Sequence, residues 1–177
     1  MLKELTVQKL YYGFPIFLLG YQDPRHGYNI TTCSSSYSLR NMLVFGLGKG
    51  TNAAKQLMAP GAMGSANVLA PEFHQLIEYA GNHHGADKLG GGRVPYEVLA
   101  ETNVPVLKQA TVVLVFRVDR YEVVGGYVNF TATITQRLAQ ESLIEDPNQI
   151  GHQLETIHYF GVDHELVKRA VGDETAG

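Results

Sequence analysis

The chain has 177 residues, 45% of them hydrophobic, and carries 14 Lys and Arg against 17 Asp and Glu for a formal net charge of −3. That length buries one good core and leaves no room for two full domains. With no block of like charge, a general nucleic-acid surface is excluded, because such a surface needs a basic face.

Strand-like segments outnumber helical ones, and no repeat or low-complexity tract appears. Residues 14–21 are apolar and aromatic and predict a strand; Asp23-Pro24-Arg25-His26-Gly27 breaks it and leads to a second strand over 28–34, making a hairpin. The apolar run 42–47 follows, then a helix over 51–58 with Thr51 or Asn52 as its cap and Pro60-Gly61 as its stop. A second helix over 71–79 has Pro71 in its first turn, and Phe73, Leu76, Ile77 and Ala80 form its apolar stripe. Both helices should lie against the sheet. From 82 to 94 the composition turns to Gly, His, Asp and Lys, which predicts a mobile excursion able to gate a site.

Residues 111–116 are a continuous β-branched and apolar run, as for a strand covered on both faces, and a second subunit is one candidate cover. Gly125-Gly126 is a turn signal, so 111–123 and 127–137 should pair antiparallel as a long hairpin. Asp146-Pro147 then breaks the chain, and 156–160 reads as a short strand. The residues 163–171 read as a final helix capped by Asp163, ahead of a disordered tail at 172–177.

Two stretches carry the chemistry. Asn29-Ile30-Thr31-Thr32-Cys33-Ser34-Ser35-Ser36 supplies small hydroxyl side chains that let a planar ring lie close to the backbone. Gly48-Lys49-Gly50-Thr51-Asn52-Ala53-Ala54-Lys55 opens a helix with amides, hydroxyls and ammonium groups suited to a phosphate. The competing readings are plain: a serine-rich edge strand, a capping threonine and a solvated lysine face.

With these, Tyr11-Tyr12-Gly13-Phe14-Pro15-Ile16-Phe17-Leu18-Leu19, the segment PGAMGSANVL at 60–69 and the late ETIHYFG fall in the order found in the flavin reductase-like, FMN-binding split β-barrel family, which the chain resembles over roughly residues 10–162. The resemblance implies one domain, mainly β with peripheral helices, built as a split, Greek-key-like antiparallel barrel. It implies FMN as cofactor, with FAD as the alternative, and NAD(P)H as hydride donor. It also implies a homodimer with flavin near the interface, passing electrons to an acceptor or a partner oxygenase.

Carried over residue by residue, the family's phosphate turn falls on Lys49, Gly50, Thr51, Asn52 and Lys55. Its ring-edge segment falls on Asn29 and on Thr31 to Ser36, where many relatives carry a proline and Thr31, Thr32 and Cys33 stand here. Its strand asparagine falls on Asn67, and its late aromatic segment on His158 and Tyr159; structural roles for these three are equally open. A flavin-holding module without turnover is the alternative function, and a split barrel binding haem or another flavin-like cofactor a remoter one.

The single cysteine, Cys33, has no internal partner for a disulfide and no adjacent base, so packing beside a cofactor suits it better than redox chemistry. Its lone state agrees with a reducing compartment. The longest early apolar stretch, 14–20, is too short to span a bilayer and no cleavage site follows it, which points to a soluble cytoplasmic protein. Seven histidines form no metal-binding spacing, so no metal is expected. Nor is an acid–base residue required, because hydride transfer depends on stacking and orientation.

Overall fold

A computed structural model describes residues 2–7, 9–146, 148 and 150–169. The opening apolar run is not one strand but two, β1 (Tyr11–Pro15) and β2 (Phe17–Asp23). Pro15 has no N–H for a central ladder, and β1 leaves the main sheet to pair with a late strand. At Asp23 the chain turns tightly, with Gly27 at φ +78°, into β3 (Gly27–Cys33) as the hairpin signal requires. Next come β4 (Ser36–Leu39), β5 (Met42–Gly48), α1 (Asn52–Leu57) and β6 (Met63–Leu69). A 3-10 turn at Pro71–Phe73 feeds α2 (His74–Asn82), somewhat later than the expected helix.

A small hairpin, β7 (Tyr96–Leu99) with β8 (Val104–Leu107), precedes the long hairpin of β9 (Ala110–Val124) and β10 (Tyr127–Ala139), which turns at Gly125-Gly126. The chain ends its described part with β11 (Thr156–Gly161) and β12 (Glu165–Arg169). β12 corrects the helix expected over 163–171. Asp163 and His164 lie in a turn, His164 at φ +57°, and the chain returns antiparallel along β11, where Leu166 packs on the core. The free edge of β11 captured a segment whose local cap signal favoured a helix. The expected tail at 172–177 lies outside the described residues.

The main sheet is antiparallel, in the order β3-β2-β6-β9-β10-β5-β4. Its two edge strands, β3 and β4, are consecutive in the chain, and beside their junction the Gly46 amide donates to Ser35 O at 2.8 Å. The sheet therefore curls until its edges approach, without a closed ladder. One core fills the curl: Phe17 and Leu19 from β2 meet Phe45 from β5 and Phe130 from β10, with Ala53, Ala54 and Leu57 of α1 plugging it. Phe45 stacks on Phe130 with ring centroids 4.9 Å apart. A second core covers the outside of β2, β6 and β9 with α2, the β7–β8 hairpin and Ile157.

The run at 111–116 sits mid-sheet: Val113, Val115 and Phe116 are buried, while Thr111, Val112 and Leu114 are half-buried. The segment expected to be a mobile excursion, 82–94, is tied in, since Lys88, Leu89 and Val94 are buried. Among the described residues, no helix is long and apolar enough to cross a membrane, and no three His, Cys, Asp or Glu side chains cluster to hold a metal.

Candidate functional site

The β2–β3 turn, the start of α1 and the loop after α2 enclose a cavity of about 710 Å³. Local chemistry explains why α1 begins where it does. Thr51 caps it, its Oγ1 accepting from the Ala54 amide at 3.2 Å and donating to Gly48 O at 2.9 Å. The turn is fastened to the long hairpin by the Lys49 amide, which donates to Gly126 O at 2.9 Å.

A buried polar network shapes the floor. Asp23 Oδ2 accepts from Asn29 Nδ2 at 3.0 Å and from Asn52 Nδ2 at 2.9 Å, while its Oδ1 accepts from the Arg25 amide at 3.0 Å. Burial works against ionisation of Asp23, but the bonds from Asn29 and Arg25, the nearby His26 and the Asn52 bond outweigh it and hold the carboxyl below its usual range. Asn52 also donates to Tyr21 Oη at 3.3 Å, and burial pushes that phenol up to about 12. Asn29 reaches further: Nδ2 donates to Ala86 O at 2.9 Å, and Oδ1 accepts from the amides of Ile30 and Lys88.

Lys88 itself is 5% exposed, and its Nζ donates to Ala80 O at 2.6 Å and Ile30 O at 3.0 Å. Burial lowers its pKa from the ordinary lysine value. Arg25, His26, Lys55, His84 and Lys88 thus face the cavity against one carboxylate, Asp23. Thr31 and Thr32 of β3 and Gly81 of α2 keep its side wall small.

No family model matches the chain, and no curated protein matches it. Solved structures do. Flavoredoxin of Desulfovibrio vulgaris (Miyazaki F) superposes with a TM-score of 0.81 at 17% identity, covering 96% of this chain and 94% of that one. An FMN-binding protein from Thermus thermophilus, with bound 1-cyclohex-2-enone, gives 0.78 at 18% identity, covering 100% and 97%. A protein from Shewanella frigidimarina described as a flavin reductase with a split barrel domain gives 0.74 at 15% identity, covering 93% and 85%. The chain has the flavin reductase-like split-barrel fold. At these identities the likeness is one of fold.

Within this split barrel, seven of the expected residues converge: Asn29, Thr31, Thr32, Gly50, Thr51, Asn52 and Lys55 all line the one cavity. Thr32, with Ser34 and Tyr159, also lines an adjoining cavity. Lys49, Ser35 and Ser36 lie outside the lining of both, as do Cys33, Asn67 and His158. Cys33 is buried, and burial pushes its thiol up to about 12. Asn67 is fully buried and stitches strands together: Nδ2 donates to Leu18 O and Ser65 Oγ, each at 2.9 Å, and Oδ1 accepts from the Leu107 amide at 2.9 Å. His158 is bonded on both ring nitrogens, to Thr156 Oγ1 at 2.7 Å and Gly13 O at 3.0 Å.

Two expected phosphate donors are also committed elsewhere. The Thr51 hydroxyl serves Gly48 and the Asn52 side chain serves Asp23 and Tyr21. Sequence reading missed Asp23, Arg25 and Lys88. The first two stand inside the turn signal 23–27 and read only as turn residues; Lys88 was masked by the glycine-rich composition around it.

Proposed function

We propose that this protein is an FMN-dependent oxidoreductase of the flavin reductase type, taking hydride from NAD(P)H and working as a cytoplasmic homodimer. One observation carries the reading: segments far apart in the chain, at 29–32 and 50–55, build one cavity that is basic at the mouth and small-walled inside. Its volume falls within the range of about 300–1,000 Å³ usual for cofactor sites. The residues fit the cofactor. Lys55 and Arg25 would hold the phosphate, with the turn at Gly50 beside them, and Thr31, Thr32 and Gly81 would leave room for a flat ring. The bonded set Asp23, Asn29 and Asn52 braces the wall, and a braced wall lowers the ordering that binding would cost. When bound, a flavin supplies a two-electron acceptor that a reduced nicotinamide can fill.

The test compares FMN with riboflavin, which lacks the phosphate, by fluorescence quenching. Lys55→Ala should weaken FMN by about tenfold to a hundredfold, the size of one charge-assisted hydrogen bond, and leave riboflavin unchanged. Equal loss for both, or none, would refute the phosphate placement. Anaerobic bleaching of bound flavin by NADH or NADPH would establish turnover, whereas tight binding with no bleaching would reduce the protein to a flavin holder. Light scattering at the mass of a single chain, with flavin bound, would remove the dimer.

A further inference from the structure

The long hairpin outruns its neighbour. β9 pairs with β6 only from Ala110 to Arg117, and the Val118 amide makes a last bond on that side, to Ala62 O at 2.8 Å. Beyond it β9 runs on to Val124, paired with β10 alone. Asp119 is an extra residue in that ladder, a bulge, since Val118 faces Ala132 and Arg120 faces Thr131. From Arg120 to Val124 one edge of the strand therefore has no ladder partner among the described residues, and every side chain there is exposed, Tyr121, Val123 and Val124 included. An exposed edge with apolar side chains is a template for another strand, and this one lacks the lysine or proline that commonly blunts such edges.

Its charges choose the strand that fits. Arg120 and Glu122 stand opposite Thr131 and Asn129 on the outer face of the sheet, while Tyr121 stands opposite the core residue Phe130. The one ion pair among the described residues, Arg117 with Asp119, uses neither of them. A second copy related by a two-fold axis perpendicular to the sheet keeps its outer face on the same side, and pairs antiparallel about a single residue. Centred on Arg120 or on Glu122, that pairing sets like charges directly opposite each other. Centred on Tyr121, it sets Arg120 against Glu122 twice, once on each side of the axis, and places the two Tyr121 side chains together.

We propose that β9 joins a second copy of this chain edge to edge over residues 119–123, centred on Tyr121. This joint is the contact of the homodimer proposed above and rests on that reading. It lies at the hairpin end that also anchors the turn before Gly50 and Thr51, through the bond from the Lys49 amide to Gly126 O.

Sedimentation velocity and disulfide trapping, on the protein with and without FMN, test the joint. Arg120→Glu and Glu122→Arg should each weaken the dimer by about tenfold, since each removes two opposite-charge pairs and makes two like-charge ones. The double variant restores both pairs with the signs exchanged and should return to within about threefold of the wild type. Tyr121→Cys should cross-link to its own copy under mild oxidation, with Cα atoms about 4.5–5.5 Å apart, whereas two copies of Val123→Cys would stand about 14 Å apart and should stay unlinked. Cys33 does not interfere, being buried with its thiol pushed up to about 12. A dimer unmoved by both single charge variants, a double variant weaker than either single one, or linkage through Val123→Cys and not through Tyr121→Cys would each overturn this joint and leave the homodimer standing. A wild type at the mass of a single chain would overturn both.

Discussion

Replacing Asn67 by alanine separates a structural asparagine from a cofactor ligand. Its side chain is 0% exposed and joins three strands, donating to Leu18 O on β2 and to its neighbour Ser65, and accepting from the Leu107 amide on β8. Truncation strands the Leu107 N–H in the core, at about 1–3 kcal/mol, and removes two further bonds at about 1 kcal/mol each. The total, about 3–5 kcal/mol, is a large part of the roughly 5–15 kcal/mol that holds a domain together. Urea unfolding followed by circular dichroism should show a lower midpoint with an unchanged slope. At a temperature and urea concentration where Asn67→Ala remains folded, FMN affinity should match the wild type. A stability loss below about 1 kcal/mol, together with weakened FMN binding, would refute the reasoning and return Asn67 to the cofactor site.

Three more perturbations follow from the geometry. A methyl at Gly20 would sit 2.5 Å from Ser65 Oγ and 2.7 Å from Pro105 O, so Gly20→Ala should cost about 1–3 kcal/mol in chemical denaturation, and a neutral result would refute the close approach of β2, β6 and β8. Cys33, buried and with its thiol pushed up to about 12, should resist iodoacetamide at pH 8 in the native protein and react promptly in urea; fast native labelling by mass spectrometry would contradict its burial. Asp23 is held below its ordinary range in the folded state while the unfolded chain titrates near the usual value of about 3.9, so its stabilisation is complete above that value and is lost as pH falls through the lower folded one. Asp23→Asn should therefore flatten the acid limb of a stability–pH profile, and an acid limb as steep as the wild type's would refute the assignment.

Turn chemistry made much of the sheet legible. Asp23 to Gly27 and Gly125-Gly126 marked two hairpins that the structure contains, because left-handed glycines are demanded by the backbone at those corners. Thr51 was readable as a cap for the same local reason. What failed was decided at a distance: β12 is a strand because β11 offers an open edge, and β1 leaves β2 because of its pairing with β11. The β7–β8 hairpin drew no expectation from the sequence. At the site, sequence order could bring 29–32 and 50–55 to mind as separate motifs. The clamp of Asp23 on Asn29 and Asn52, and the burial of Lys88 beneath Ala80 and Ile30, exist only once the chain is folded.

The strand order also imposes a schedule on folding. The hairpins β2–β3, β4–β5 and β9–β10 join near neighbours and can close within about microseconds. The sheet itself depends on β6, which pairs Asn67 with Leu18 on one side and with Val113 on the other. Until that seven-residue strand is inserted, the hairpins on either side have no common partner and their apolar faces stay open to water. Closure through such distant pairings belongs to the millisecond-to-second regime of sheet proteins. On a ribosome, β6 can join β2 as soon as it emerges, but its other edge stays unpaired until β9 follows, the interval in which this chain would most need a chaperone.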